Sequence, residues 1–147
     1  MYAVCLRYAQ DSSEAEDMLQ IGFLKVFSKG QLYDGKGSLE GWIRRVMVNA
    51  AIEIHRKHKI KFTEPLGEQH EQLWHSSCTA DNSKYTDLLQ LVQQLPIGYK
   101  TVFNLYAIEG YGHKEIADML AISEGTSKSQ LSRARQWLKE KLVTHNM

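Results

Sequence analysis

The sequence has little of what marks secreted and membrane proteins. It holds only two cysteines, Cys5 and Cys78, which are too few and too isolated for a disulfide framework. No apolar run approaches the roughly 20 residues of a membrane span. The N-terminus also lacks the charged start and the cleavage site of a signal peptide. We therefore expect a cytoplasmic protein.

The residue patterns of enzymes and metal sites are also missing. His70, His75 and Cys78 could in principle meet a metal ion, but their spacing matches no common zinc pattern and a fourth ligand is absent. No glycine-rich phosphate loop joins a strand to a helix, and no histidine accompanies a nucleophile motif. We expect no cofactor, no metal and no catalytic residue, and an enzyme is the least supported class.

Charge of one sign does not dominate the whole chain, because the formal net charge is +1. This balance argues against a general polycation. The charges are nevertheless segregated: cations cluster over residues 44–61 and 128–141, and acids over 11–17 and 64–71. Two basic patches separated by acidic stretches indicate two anion-binding surfaces.

Strand patterns are absent, and apolar residues recur at helical spacing in two blocks. Residues 61–83 between the blocks contain Pro65 and Gly67 and show no sustained period, which is typical of a linker. The sequence therefore predicts an all-α protein of two small helical domains, 1–60 and 84–147, joined by a flexible linker over 61–83.

The first long helix is predicted to begin at a capping box of Ser13 and Glu16 and to end near Lys29, with Gly30 as a left-handed stop. Its core stripe comprises Ala15, Met18, Leu19, Gly22, Phe23 and Val26. A second stripe comprises Asp17, Gln20, Ile21 and Leu24. Aliphatic side chains on a second stripe indicate a protein partner, although a further layer of helix could equally cover them.

A glycine-containing loop over 31–37 precedes a helix that begins at Ser38 and runs to about Lys59. The predicted buried face of this helix comprises Leu39, Trp42, Ile43, Val46, Met47 and Ala50. Off that face lie Arg44, Arg45, Asn49, Arg56 and Lys57. Such cations can follow the backbone of single-stranded DNA while the loop closes around an extruded base. The alternative is an ordinary amphipathic helix with a basic exposed side.

Residues 111–142 predict two helices joined by a tight turn, with Ser123 as the N-cap of the second helix and Glu124 in its first turn. The predicted buried stripe of the second helix comprises Ser127, Leu131, Ala134 and Leu138. Roughly opposite lie Ser129, Ser132, Arg133 and Gln136, with Lys128 and Arg135 on one flank. Hydroxyl and amide groups among cations suit a helix-turn-helix in a DNA major groove. The alternative is a basic, solvated helix packed on its neighbour.

The residue identities in this motif carry more information than the spacing of its apolar residues. EIADML followed by ISEGTSKSQLSRAR closely resembles the promoter-reading segment of bacterial sigma factors of the extracytoplasmic-function (ECF) group. The resemblance implies that this segment binds the upstream, minus-thirty-five promoter element as duplex. The residues predicted to contact it are Glu124, Thr126, Lys128, Ser129, Ser132, Arg133 and Gln136.

Two earlier segments resemble the same family in the same order. EAEDMLQIGFLKVF is similar to the sigma segment that docks on the clamp helices of the polymerase β′ subunit, although it departs at Ile21-Gly22, where many relatives have Glu and a small polar residue. GSLEGWIRRVMVNAAIEIHRKHK is similar to the region that melts the minus-ten element, with Glu53 where relatives often have Asp. The residues predicted to bind polymerase are Asp17, Gln20, Ile21 and Leu24. Those predicted to bind the downstream element are Tyr33, Asp34, Gly35, Lys36, Arg44, Arg45, Asn49, Arg56 and Lys57.

The resemblance implies a transcription initiation factor that binds RNA polymerase core through the β′ clamp helices, and promoter DNA, and that an anti-sigma factor restrains. Relatives carry about one more helix before the position of Met1, so we expect a slightly truncated first domain or a misassigned start codon. The alternative is a stand-alone helix-turn-helix regulator with an N-terminal ligand or dimerisation domain.

Overall fold

The computed structural model describes residues 1–57 and 83–145. Within these ranges the regular structure is helical and contains no strand, which confirms the prediction of an all-α protein. Most of the predicted linker, and with it His70, His75 and Cys78, lies outside the described residues. The helices are α1 (Tyr2–Tyr8), α2 (Ser12–Ser28), α3 (Leu39–Lys57), α4 (Ser83–Gln93), α5 (Ile97–Phe103), α6 (His113–Leu120) and α7 (Glu124–His145). None of these described helices is long and apolar enough to cross a membrane.

The chain divides into two compact units, unit 1 within Met1–Ile60 and unit 2 within Lys61–Met147. In unit 1, α1, α2 and α3 pack against one another. The core side chains include Val4, Cys5, Tyr8, Ala15, Met18, Met47, Ala50 and Ala51. Gly22 faces α3 so closely that a Cβ atom there would collide with Sδ of Met47, and glycine therefore permits the approach of α2 to α3.

Helix α2 ends near Lys29 as predicted, with Lys29 as its C-cap, but both predicted capping features are wrong. The N-cap is Asp11 rather than Ser13: its Oδ1 accepts a hydrogen bond from the Glu14 amide at 2.8 Å, so the helix begins earlier. At the other end, Gly30 is not left-handed. It begins a 3₁₀ turn, Gly30–Leu32, because the Leu32 amide donates to the Lys29 carbonyl at 2.8 Å and the chain keeps turning in the right-handed sense.

Helix α3 begins as predicted, since Ser38 Oγ accepts from the Gly41 amide at 3.0 Å. Its predicted buried face was too narrow and was displaced at the start: Leu39 is 52% exposed, whereas Val48, Ala51, Ile52 and Ile54 are buried. The reason is that both α1 and α2 pack on α3, so its apolar surface extends beyond a single stripe.

Unit 2 is built around α7, which packs against α4, α5 and α6. One core cluster comprises Leu91, Val92, Leu95, Tyr99, Ala134 and Leu138, with Phe103 and Trp137 packed against it. Pro96 is the N-cap of α5, and Gly110 (φ 81°) closes the segment after it. After α5 the chain forms a π-helical turn, Asn104–Ile108, which sequence periodicity did not predict.

The turn from α6 to α7 spans Ala121 to Ser123. Ser123 caps α7 as predicted, because its Oγ accepts from the Thr126 amide at 3.0 Å. Ala121 ends α6 in the left-handed conformation, at φ 55° and ψ 45°, where glycine is usual. This short connection brings α6 and α7 close together, as in a helix-turn-helix.

Candidate functional site

Helix α7 separates a buried stripe from an outward one. Ser127, Leu131, Ala134 and Leu138 are all buried, which confirms the predicted core stripe. The outward stripe, defined as Ser129, Ser132, Arg133 and Gln136, is exposed. These four side chains fall within about 100° around the helix axis. The stripe therefore presents two hydroxyls, an amide and a guanidinium on one side of a rigid helix.

Two of the four side chains of the outward stripe, Ser129 and Gln136, already have local hydrogen-bond partners. The Ser129 hydroxyl donates to the Gly125 carbonyl at 2.9 Å, and Gln136 Nε2 donates to Glu140 Oε1 at 3.2 Å. Both bonds are exposed, so base edges or water can replace them at little cost. Such pre-oriented donors suit the reading of base edges in a major groove.

The remaining residues predicted to contact duplex DNA lie beside the outward stripe. Thr126 is half-buried and its hydroxyl pairs with Ser123 Oγ at 2.9 Å, so its first role is in the turn. On a helical projection Glu124 and Lys128 fall on one flank of the stripe and Thr126 on the other. The sequence patterns did not predict that Gln130 is buried, because glutamine is ordinarily a surface residue. In the structure its side chain is only 2% exposed.

The loop from Tyr33 to Gly37 is closed on itself. The Tyr33 hydroxyl donates to the Gly37 carbonyl at 2.8 Å, and Asp34 Oδ1 accepts from the Lys36 amide at 2.9 Å. Gly35 and Gly37 have φ of 74° and 77°, which side chains rarely adopt. The Tyr33 ring lies 5.7 Å from the half-buried Trp42 ring, so the loop rests against the start of α3.

The structure brings together three of the five basic or amide residues predicted on α3. Arg45, Asn49 and Arg56 are exposed and fall within about 40° around the helix axis. Arg44 is half-buried and lies about 100° away from Arg45. Lys57 lies on another side, where its ammonium group is 3.5 Å from Glu53 Oε1. The cationic stripe of α3 is therefore narrower than its sequence indicated.

Glu53 joins α3 to α2. It forms an ion pair with Lys25 of α2 and a second one with Lys57. The hydrogen bond from Lys25 is the main cause that lowers the pKa of Glu53, and the charges of Lys25 and Lys57 add to it. The Glu53 carboxylate thus links α3 to α2 through its ion pair with Lys25.

The four residues predicted to bind polymerase lie on one exposed face of α2. Asp17 and Gln20 are exposed, Ile21 is 37% exposed and Leu24 is 69% exposed, so no described helix of unit 1 covers Leu24. Sequence periodicity did not reveal that this face borders a groove of about 320 Å³ between α2 and α3. The groove is lined by Glu14, Asp17, Gln20, Ile21, Ala50, Glu53, Ile54 and Lys57.

The groove is lined by both apolar and charged side chains. Ile21, Ala50 and Ile54 supply apolar side chains, whereas Glu14 and Asp17 supply carboxylates. Leu24 does not line it and lies one helical turn further along α2. The sequence signal for the groove was present in the alanine and isoleucine of α3, but only the packing of α2 on α3 places them beside Asp17.

Two family models match this chain, one in each unit. The family model of sigma-70 region 2 matches residues 1–60, and that of sigma-70, region 4 matches residues 85–138. The chain is 31% identical over 142 residues to the ECF RNA polymerase sigma factor SigM of Bacillus subtilis, covering 95% of this chain and 86% of that protein. It is 29% identical over 156 residues to the ECF RNA polymerase sigma factor SigE of Mycolicibacterium smegmatis, but spans only 58% of that protein's length.

One solved structure shares the fold. It is the sigma factor RpoE of Bartonella quintana, determined in complex with the anti-sigma factor NepR. The TM-score is 0.57 at 22% sequence identity, over 96% of this chain and 88% of that one. Matches to both sigma-70 regions, in order, together with the similarity to SigM, show that the chain belongs to the ECF family of RNA polymerase sigma factors.

Proposed function

We propose that this chain binds RNA polymerase core and directs it to specific promoters, with unit 1 acting on polymerase and on the melted downstream element and unit 2 reading the upstream element as duplex. The observation that carries this proposal is the segregation of surface chemistry. Exposed aliphatic side chains lie on α2, clustered cations on α3, and hydroxyl, amide and guanidinium groups on the outward stripe of α7. Each composition suits one of the three proposed partners.

The proposed polymerase contact is the face of α2 formed by Asp17, Gln20, Ile21 and Leu24. An exposed aliphatic residue such as Leu24 gains most from a partner that removes it from water, and neighbouring carboxylate and amide groups give that contact its register. We assign this face to the β′ clamp helices. The proposal involves no covalent chemistry by the chain, and it implies action in the cytoplasm, where polymerase meets promoters.

The proposed downstream contact combines the Tyr33 to Gly37 loop with Arg45, Asn49 and Arg56. A loop already closed by its own hydrogen bonds loses little entropy when it forms one wall of a pocket for an extruded base. The three residues on α3 can follow the phosphates of the single strand. Arg44 and Lys57, the other α3 residues predicted for this element, lie off this stripe and are assigned secondary, electrostatic roles.

An anti-sigma factor is a further proposed partner. The RpoE structure was solved with one, NepR, and its fold resembles that of this chain. A protein that covers the exposed face of α2 would block polymerase binding directly, because one surface cannot serve two partners at once. We expect such a factor to compete with polymerase core for the purified chain.

The decisive experiment is a pull-down of purified core polymerase with the tagged chain, followed by promoter binding. We expect a stable complex with core, and promoter-specific binding only after it forms. A stand-alone regulator would instead bind duplex DNA by itself, usually as a dimer on paired half-sites. Specific duplex binding by the free chain, without any association with core, would refute the proposed function.

A further inference from the structure

One flank of α7 meets a pair of stacked rings, one from the π turn and one from the start of α6. The guanidinium carbon of Arg135 lies 5.6 Å from the centroid of the Tyr106 ring. That ring stacks on the imidazole of His113, with centroids 4.6 Å apart and planes at 19°. His113 Nδ1 in turn lies 2.8 Å from Ser127 Oγ, in a hydrogen bond whose donor depends on the imidazole tautomer. We name these four residues the α7 bracket.

The bracket connects three elements. Tyr106 lies in the middle of the π turn, His113 is the first residue of α6, and both Ser127 and Arg135 belong to α7. Ser127 and Arg135 are about two helical turns apart, so α7 is held at two levels. A π turn holds more residues per turn than an α-helix, which changes the direction of its side chains, and such turns often occur at functional sites. Here the turn carries the ring that meets both His113 and Arg135.

The buried attachment of Ser127 to His113 fixes the rotation of α7 about its own axis. Rotation matters because neighbouring residues are separated by about 100°, so a modest turn of the helix would replace one outward side chain by another. Ser127 is completely buried and Arg135 is exposed. The bracket therefore extends from the interior of unit 2 to its surface, beside the outward stripe.

Arg135 has the chemistry of a phosphate ligand. On a helical projection it lies within about 20° of Lys128, and about 60° from Ser132, the nearest member of the outward stripe. When a helix enters a groove with its outward stripe toward the bases, its flanks face the sugar–phosphate walls. The ring face of Tyr106 attracts the guanidinium group, while the planar fork of N–H donors can still bind phosphate.

We propose that Arg135 is a further DNA-contacting residue, which binds a phosphate beside the upstream element, that Tyr106 is a positioning residue for Arg135, and that His113 is a positioning residue for α7. This inference rests on the proposed function of α7 as the duplex-reading helix. It adds a residue outside the set predicted from the sequence. It also gives a role to the π turn, which lies before the helix-turn-helix in the chain.

The test is promoter binding by holoenzyme reconstituted with the full-length variants, measured across a range of salt concentrations. Arg135→Ala should weaken promoter and non-specific duplexes by the same factor and reduce the slope of log K against log salt by about one. Tyr106→Leu keeps apolar volume but removes the ring. It should weaken binding by about two- to fivefold and lower the slope in the same way. Tyr106→Phe keeps the ring and should restore wild-type binding.

The double variant Tyr106→Leu/Arg135→Ala should bind no more weakly than Arg135→Ala alone, because the two changes remove one shared contact. If the two losses add, or if Tyr106→Leu leaves the salt slope unchanged, the positioning role of Tyr106 is overturned. Thermal melting of each variant checks folding. Arg135 is exposed, so its replacement tests the phosphate contact even if Tyr106→Leu proves unstable.

Ser127→Ala removes the hydrogen bond to His113 and leaves the stack in place. We expect weaker, less specific promoter binding by the folded variant, since α7 gains rotational freedom. A lower melting temperature with unchanged affinity would overturn the positioning role of His113. Arg133→Ala serves as the reporter of the proposed function: if it leaves upstream binding unaffected, α7 does not read duplex DNA. If it weakens binding while the Arg135 and Tyr106 variants do not, only the bracket inference fails.

Discussion

Unit 1 and unit 2 are both small helical units, yet they expose different chemistry. The second stripe of α2 leaves Leu24 69% exposed, and Phe27 near the end of the same helix is 81% exposed. The outward stripe of α7 carries only hydroxyl, amide and guanidinium groups. Apolar groups left in water indicate a protein partner, whereas hydrated polar groups among cations indicate a nucleic acid. The type of exposed side chain therefore distinguishes the two kinds of partner better than the net charge of the chain does.

The units also differ in how core and surface are shared. In unit 2 a single helix, α7, supplies both core residues such as Leu138 and the outward stripe, so a change in its packing must move the surface as well. In unit 1 the exposed apolar face lies on α2 and the cationic stripe on α3. The two faces of unit 1 can therefore be repacked one at a time, whereas a change in the packing of α7 also moves its outward stripe.

The largest effect is expected from Leu24→Arg. A charge placed in an apolar contact costs a few kcal/mol of binding free energy, so the variant should lose polymerase core in a pull-down while its circular dichroism stays unchanged. Leu32→Arg, at another exposed leucine of unit 1 outside α2, is the matched control and should retain binding. Normal binding by Leu24→Arg would contradict the assignment of this face of α2 to a protein partner.

The division of DNA work between the units is tested by Arg133→Ala and Asn49→Ala, for which we expect losses of about 1–3 kcal/mol. Arg133→Ala should weaken closed-complex binding and relax the preference for the upstream element. Asn49→Ala should leave duplex binding intact and slow melting, and a pre-melted bubble template should rescue it. Filter binding and permanganate footprinting on duplex and bubble templates measure both. Equal defects on both templates would show that the units are not specialised.

Gly22→Val tests whether the α2–α3 contact determines the stability of unit 1. The added side chain would collide with Met47, which is completely buried, so we expect a loss of about 1–3 kcal/mol in the free energy of unfolding. Urea denaturation provides the measurement. Gly30→Val is the control, since nothing lies within 4 Å of the corresponding Cβ position. Equal losses for both variants would indicate a general effect of valine.

In unit 2, a substitution at Ala121 should stabilise the folded state. Its left-handed conformation is unfavourable for alanine, so Ala121→Gly should raise the free energy of unfolding by about 0.5–1 kcal/mol. Ala107→Gly, at an exposed residue of the π turn, should lower it instead. Thermal melting distinguishes the two. A loss for Ala121→Gly would mean that the turn between α6 and α7 is not strained.

The smallest effect concerns Glu53. The pKa of its carboxyl is lower in the folded state, so its ion pairs stabilise unit 1 above about pH 4.5, and this stability is lost as the pH falls through the lowered pKa. Because the Glu53 side chain is 46% exposed, Glu53→Gln should cost only about 0–1 kcal/mol at neutral pH, and nothing once the carboxylate is protonated. Urea denaturation at pH 7 and in acid measures the difference, with Glu16→Gln at another exposed carboxylate as the control.

Much of this protein follows from the sequence alone. The apolar period located the helices on both sides of residues 61–83, and the cap at Ser123 and the buried stripe of α7 were correct, because each depends on residues within a few positions of one another. The amino-acid sequences of three segments indicated the family. The assignment of individual DNA and polymerase contacts stays a prediction, because those contacts belong to a complex with partners.

Other features were decided only by tertiary structure. Helix α3 is buried on more than one side because α1 and α2 both pack on it, and the groove beside Asp17 exists only where α2 meets α3. The α7 bracket joins Tyr106 to Arg135 across a π turn and two helices. Local propensity extends over about one helical turn, whereas these features depend on which surfaces meet after the chain has folded, and no single segment contains that information.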